Sequence, residues 1–154
     1  MPRVSPRETA TLSKFFTASG GVVLFITGVA KIISALGTSL ALKETDPIIG
    51  VSLRNLFLIV GVLEVTVSAV CILQKNPDLA VKLVAWIATM FITYRFGLWL
   101  LDWHRPCHCL GDLTRAIHIS SQTADRIAKG ALAYLFVGSY YLLFRPASSR
   151  KYEL

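Results

Sequence analysis

Long uninterrupted runs of apolar residues dominate the chain. Four runs are about 20 residues long, the length that crosses a ~30 Å hydrocarbon core, and they cover 15–37, 51–73, 79–101 and 127–144. Each run must be helical in lipid, because the bilayer offers no partners for free backbone N–H and C=O groups. The pattern predicts an all-α fold, an integral membrane four-helix bundle forming a single domain over residues 1–154.

Composition supports a membrane environment. Of the 154 residues, 54% are apolar and 16% are charged, against about 25% charged in soluble domains. A soluble domain of this size cannot hide so much apolar surface, and the same composition excludes a disordered chain. The net charge of +7 is spread between the apolar runs, which indicates flanks that face anionic lipid. We therefore expect the lipid bilayer, and no nucleic acid, as a partner.

Lysines and arginines near the span ends predict the orientation. Eight lie on one side: Arg3, Arg7, Lys14, Lys75, Lys82, Arg145, Arg150 and Lys151. Five lie on the other: Lys43, Arg105, Arg115, Arg126 and Lys129. This bias places both termini in the cytoplasm and the segments 38–50 and 102–126 outside. In a bacterial inner membrane, the expected location, the outer side is the periplasm.

The segment 102–126 holds the candidate chemistry. Cys107 and Cys109 are separated by one residue, with Pro106 before them and Gly111 after. A disulfide between them would close a small, strained ring, and strained, exposed disulfides tend to be labile or catalytic. A structural disulfide usually closes a long loop, so the spacing favours thiol–disulfide or electron-transfer chemistry.

Two other interpretations of this run stay open. His104, His108 and the two cysteines, with His118 further along, are ligand types suited to copper(I) or zinc. Their spacing matches no standard zinc module, and we assign no metal here. The cysteines could also form a purely structural pair.

Several charges lie inside the predicted spans, where ionisable residues are costly and often functional. At 1.5 Å per residue, Lys31 and Arg95 lie about 9 Å below the outer surface and Arg54 about 5 Å below it. If they face inward, they form a positive pocket beneath the cysteines that could favour a thiolate or stabilise a half-reduced quinone. The alternative is that these side chains snorkel to the headgroups.

Glu64 lies deeper, about 20 Å from the outer surface by the same helical rise. It must be neutral or paired at that depth, and Lys82 is the nearest cation by depth. A role in proton handling and a structural hydrogen bond are both open for Glu64. Cys71, in the second span, is expected to be a small buried hydrophobe, and Ser120 or Ser121 is expected to cap a helix.

Taken together, these features resemble a known family. Four short spans, Gly28-x-x-Lys31, Glu64, and Cys107-x-Cys109-Leu110-Gly111 look like the MauE/DoxX-type membrane proteins, over about residues 15–144. The resemblance implies disulfide formation or redox-enzyme maturation outside the membrane, or quinone-linked sulfur oxidation. It also implies that Cys107 and Cys109 are the redox pair.

We therefore expect a membrane redox protein that exchanges disulfides or electrons between a periplasmic thiol partner and a carrier. The catalytic residues are expected to be Cys107 and Cys109, and the cofactor-binding residues Lys31, Arg54, Arg95 and Glu64. The carrier could be a quinone. The alternative is a non-catalytic accessory or assembly subunit of a larger membrane complex.

Overall fold

The computed structural model describes residues 6–37, 40–73, 77–102 and 120–144, and all four long elements in these ranges are α-helices. They are α1 (Pro6–Leu36), α2 (Leu53–Leu73), α3 (Pro77–Leu100) and α4 (Ser121–Leu143). A short 3-10 helix, Leu40–Lys43, lies between α1 and α2. The predicted all-α class is confirmed for this part of the chain.

Three of these helices are long and apolar enough to cross a membrane, over Thr11–Leu36, Leu53–Leu73 and Pro77–Leu100. Large apolar side chains on them are exposed, including Phe25, Ile59 and Trp86. Soluble monomeric proteins rarely expose this much apolar surface. The helices are therefore suited to a lipid environment.

α4 is less apolar than the other three helices. It is not among the helices that are long and apolar enough to cross a membrane. Its sequence includes Lys129 and three tyrosines, Tyr134, Tyr140 and Tyr141, which dilute the apolar run. The predicted fourth apolar run at 127–144 nevertheless forms a helix that packs in the bundle. Leu135, for example, is only 3% exposed.

The helix starts follow local capping chemistry. Pro6 and Pro77 each begin a helix, where a proline loses no hydrogen bond because the first N–H groups have no partner within the helix. Ser120 caps α4, since its hydroxyl accepts the N–H of Thr123 at 3.2 Å, as the sequence predicts. α1 and α4 begin at Pro6 and Ser121, before their apolar runs, because a helix can continue through polar residues beyond the lipid.

The helices alternate in direction along the bundle. Ser68 Oγ of α2 donates to the Gly21 carbonyl of α1 at 2.7 Å, while further along α1 Gly28 contacts Gly61, so these helices are antiparallel. α3 and α4 are antiparallel too, since the Thr89 and Tyr140 hydroxyls are bonded at 2.9 Å and Arg95 pairs with Asp125.

α1 and α2 form the closest helix pair, and glycine is required where they meet. A Cβ added at Gly61 would lie 2.8 Å from the Gly28 carbonyl oxygen, and one added at Gly28 would lie 2.9 Å from the Gly61 carbonyl oxygen. Small residues allow such backbone approach and favour helix association in membranes. The buried core continues across the bundle through Leu24, Val84 and Ile87.

One end of the bundle carries the loop 37–52 and the end of α3 at Asp102; we call it the loop end. α1 and α3 finish there, and α2 and α4 begin there. Asp102 adopts φ 53, a left-handed conformation that aspartate tolerates better than most residues. Its N–H donates to the Trp99 carbonyl at 3.1 Å, which closes the last turn of α3.

Candidate functional site

The predicted catalytic residues, Cys107 and Cys109, lie outside the described residues, as do His104, His108 and His118. The structure does describe the two residues that flank this segment. Asp102 follows α3 and Ser120 precedes α4, and both lie at the loop end because α3 and α4 are antiparallel. The cysteine segment is therefore attached to the bundle at that end.

An ion cluster joins α3 to α4 near these attachment points. Asp125 Oδ1 accepts from Arg95 Nη1 at 3.1 Å, and Asp125 Oδ2 lies 2.6 Å from Lys129 Nζ, one helical turn further along α4. Arg95 is seven residues before Asp102, and Asp125 is five residues after Ser120. The helix rise places the cluster roughly 7–10 Å from the two ends of the cysteine segment.

The two cations hold Asp125 in its ionised form. Partial burial opposes ionisation, but the hydrogen bonds and charges of Lys129 and Arg95 outweigh it, so the pKa of the Asp125 carboxyl lies below its ordinary value. Asp125 precedes the apolar run of α4, and its side chain is 20% exposed. Asp125 thus links a cation of α3 to a cation of α4.

A second ion pair lies deeper, between α1 and α2. Lys31 Nζ donates to Glu64 Oε1 and Oε2 at 2.8 Å each. Glu64 is 1% exposed and the Lys31 side chain 12% exposed. The expectation that Glu64 is neutral or paired is satisfied by pairing, but the partner expected by depth, Lys82, is wrong. Lys82 is exposed, and Lys31 takes its place.

Helix geometry explains why Lys31 reaches Glu64. Side chains on a helix point back toward its amino terminus, so on antiparallel helices Lys31 and Glu64 extend toward each other. The close approach at Gly28 brings the backbones together, since a Cβ there would lie 3.0 Å from Glu64 Cβ. Depth counted along each span misses this, because a lysine side chain extends over more than one helical turn.

α3 completes the surroundings of this ion pair. Lys31 Nζ lies 5.4 Å from the centre of the Phe91 ring, within the range of a cation–π interaction. The charges of Lys31 and Glu64 are thus enclosed by three helices. Burying an ion pair costs desolvation that its mutual attraction only partly repays, so the pair contributes more to fixing the helix arrangement than to raising stability.

Arg54 has a different environment. It is exposed at the start of α2, and its Nη2 donates to the Gly37 carbonyl at 2.9 Å, just after α1. The three predicted cations therefore have three separate described partners. Lys31 and Arg95 each face a carboxylate, so less positive charge is available to a shared pocket than the sequence suggests.

The sequence analysis missed a buried polar contact in the loop 37–52. Asp46 is 1% exposed, and its Oδ1 accepts the N–H groups of Ile48 and Ile49 at 3.0 and 2.8 Å. Its Oδ2 accepts the Tyr94 hydroxyl of α3. The available signal was an aspartate before Pro47, since aspartate side chains commonly bond the N–H groups that follow them in turns.

Two further predictions concern Cys71 and a possible metal site. Cys71 is buried and is a free cysteine, as expected for a small packed hydrophobe. Within the described ranges no three His, Cys, Asp or Glu side chains are grouped as a metal site would need. The histidines considered as ligands lie outside those ranges.

Comparison with known proteins gives no match. No family model matches the chain, and neither the curated proteins nor the solved structures include a significant match. The function must therefore be inferred from the residues and their arrangement.

Proposed function

We propose that this chain is a membrane redox protein that exchanges disulfides through Cys107 and Cys109. The observation that carries the proposal is the spacing of the two cysteines, one residue apart, in a segment whose ends are joined to α3 and α4. The Arg95–Asp125 ion pair braces those helices just below the segment. Such a brace holds together the two helix ends from which the cysteine segment extends.

The exchange involves a periplasmic protein with two thiols and an electron carrier. A thiolate of a periplasmic protein attacks one sulfur of the Cys107–Cys109 disulfide, forming a mixed disulfide and releasing the other sulfur as a thiolate. The partner's second thiolate then displaces the chain, which leaves an oxidised partner and a reduced Cys107/Cys109 pair. Reoxidation transfers two electrons and two protons to a carrier. If the cysteine pair has a lower reduction potential than the partner, the same steps run in the opposite direction and the partner is reduced.

The proposed topology places both termini in the cytoplasm of a bacterial inner membrane and the cysteines on the periplasmic side. Thiol–disulfide partners are stable in their oxidised form on that side. The resemblance to MauE/DoxX-type proteins supports the same assignment.

A quinone is the carrier class that we propose. Lys31 and Arg95 would have to release a hydrogen bond to Glu64 or Asp125 before binding a quinone carbonyl, and Arg54 is exposed near the surface. The described residues thus provide donors that are already engaged. If bound, a quinone would accept the two electrons and two protons released when the cysteine pair is reoxidised.

Trapping of the mixed disulfide tests the proposal. Cys107→Ser and Cys109→Ser are expected to differ, one accumulating the mixed disulfide and the other losing it, while Cys71→Ala serves as the matched control. An impermeant maleimide added to intact cells should label the reduced pair. Normal partner oxidation in the double serine variant, or labelling only after lysis, would refute the proposal.

The midpoint potential distinguishes exchange from a structural pair. A value above roughly −200 mV suits an oxidant, and one below roughly −300 mV suits a structural disulfide. Alkylation across a series of thiol buffers gives the value.

A non-catalytic accessory subunit is the second candidate. One face of α4 supports it, since Val137 and Tyr141 are exposed and a Cβ at Gly130 would meet nothing within 4 Å. Such a face suits packing against a helix of a larger complex. Stoichiometric co-purification with a membrane enzyme whose assembly survives loss of both cysteines would favour this function.

A further inference from the structure

We propose that the tip of the loop 37–52, residues Asp46 to Gly50, lies in the headgroup–acyl boundary of the membrane and anchors the loop end in lipid. The tip exposes Ile48 at 41% and Ile49 at 51%, with Pro47 and Gly50 also exposed. Proline and glycine are common in turns, so the distinguishing feature of the tip is the pair of consecutive, exposed isoleucines. This inference does not depend on the redox function.

The tip has its backbone donors satisfied from within. The N–H of Asp46 donates to the Val51 carbonyl at 2.8 Å, and that of Gly50 donates to the Asp46 carbonyl at 2.9 Å. The N–H groups of Ile48 and Ile49 both donate to Asp46 Oδ1. Proline has no N–H, so every backbone N–H group of the tip has an acceptor.

Pairing matters because backbone polar groups that leave water must find their hydrogen bonds within the protein, so a tip with paired N–H groups can enter the headgroup–acyl boundary at lower cost. An unpaired amide transferred out of water costs several kcal/mol. A loop in water does not need such pairing, because solvent completes its hydrogen bonds. Gly50 has φ 73, and an antiparallel β-bridge joins Thr45 to Ser52. Both features close the turn and bring the N–H groups of the tip to their acceptors.

The tip also lies beside the apolar part of α3. Asp46 accepts from Tyr94, which is six residues before the end of α3 and so roughly 9 Å below it. A Cβ added at Gly97 would lie 2.9 Å from Ile48 Cδ1. The tip therefore lies against the last two turns of α3, on the helix face that Tyr94 and Gly97 share with the exposed side chain of Met90, one turn before Tyr94.

Lipid is the occupant that fits this surface. The apolar tip is continuous with the exposed apolar surface of α3, which is long and apolar enough to span a membrane. Trp99 is typical of the membrane interface, where aromatic side chains concentrate. Lys43 and Arg54, exposed on either side of the tip in sequence, are placed to meet lipid phosphates.

Spin labelling in vesicles tests the proposal. The full chain, with its three cysteines replaced by alanine, carries a nitroxide at Ile49→Cys and is reconstituted in phosphatidylcholine vesicles that contain phosphatidylglycerol. The controls are Ile59→Cys, on the exposed surface of α2, and Gln122→Cys, exposed in the first turn of α4. Collision rates with oxygen and with a water-soluble nickel chelate are compared.

We expect the ratio of oxygen to nickel collisions at position 49 to be several-fold higher than at position 122 and lower than at position 59, which lies about 9 Å further along the spanning helix α2. A ratio equal to that at 122 would place the tip in water and overturn the proposal. Protection from both reagents would mean that protein covers the tip, and would overturn it too.

A second reporter keeps all native cysteines, in case the cysteine-free chain fails to fold. A benzophenone amino acid at position 49 is illuminated in the same vesicles, and the products are identified by mass spectrometry. Lipid adducts are expected. Adducts to a second copy of the chain, or to no membrane component, would overturn the proposal.

Discussion

Lys31 and Glu64 form a bidentate ion pair between two antiparallel helices, with Nζ 2.8 Å from both carboxylate oxygens. Glu64 is almost wholly buried, and the Phe91 ring lies against the ammonium group. The pair therefore makes the packing of α1 on α2 specific, since any rotation of either helix would separate a buried charge from its partner.

The ion pair gives a distinctive mutational signature. Lys31→Met should lower the free energy of unfolding by about 3–5 kcal/mol, because it leaves a buried carboxylate without its partner. The double variant Lys31→Met/Glu64→Leu should recover most of that loss. Thermal and denaturant unfolding in detergent measures both. Lys82→Met, on an exposed site of α3, should change stability by less than about 0.5 kcal/mol.

A double variant that is no more stable than Lys31→Met alone would contradict this account. It would show that packing at the two positions, rather than charge compensation, determines the stability. The free energy of unfolding of the double variant would differ by several kcal/mol between these two outcomes. Comparing it with that of Lys31→Met therefore distinguishes them.

The glycine contacts between α1 and α2 predict a second contrast. Gly61→Ala places a Cβ 2.8 Å from the Gly28 carbonyl oxygen, which forces the helices apart and should cost about 1–3 kcal/mol. Gly130→Ala, where a Cβ meets nothing within 4 Å, should stabilise its helix by up to about 1 kcal/mol. Unfolding in detergent compares the two variants, and equal effects would contradict the packing argument.

Much of the helical fold could be predicted from the sequence. The apolar run at 51–73 contains all of α2, because lipid forces an apolar segment of this length to be helical. The run at 15–37 marks α1 but misses its start at Pro6. Apolar length reports the part of a helix that lies in lipid, whereas the start of a helix depends on capping and can lie in water.

Side-chain pairing was harder to predict. Both members of the Lys31–Glu64 pair were identified as unusual, yet depth alone favoured Lys82 as the partner. The choice depends on helix rotation, which the contact of Gly28 with Gly61 determines. Glycines are common in membrane helices, so their presence does not identify which ones pack backbone to backbone.

The Asp46–Tyr94 contact shows another limit. Nothing in the sequence pattern marks Tyr94 and Asp46 as partners in a buried polar contact. Their hydrogen bond joins residues 48 positions apart, and it forms because the loop folds back along α3. Local turn chemistry indicates that Asp46 bonds its neighbours, but it does not indicate which helix the loop contacts.

This contact predicts coupling between the loop and α3. Tyr94→Phe removes the hydroxyl donor while Asp46 stays buried, which should cost about 1–3 kcal/mol. Asp46→Asn should also destabilise the fold, because the amide has one acceptor oxygen where the two oxygens of Asp46 accept three hydrogen bonds. The double variant should lose less than the sum of the single losses. Additive losses in detergent unfolding would contradict direct coupling.

The Asp125 cluster predicts a dependence on pH. Its carboxyl pKa is lowered below the ordinary 3.8, so the unfolded chain binds this proton more readily than the folded one. The stabilisation is therefore complete well above pH 4 and is lost as the pH falls toward the lower, folded-state pKa. Its size should be about 0.2–1 kcal/mol, because the pair is partly exposed.

Asp125→Asn isolates this contribution, since all other acidic groups titrate alike in the two proteins. At neutral pH the variant should be less stable than the native chain by that amount, and the difference should shrink as the solution is acidified below about pH 4. Unfolding midpoints in detergent across this range provide the measurement. A difference that stays constant or grows in acid would mean that the Asp125 side chain acts through packing, and the α3–α4 brace would then not depend on its charge.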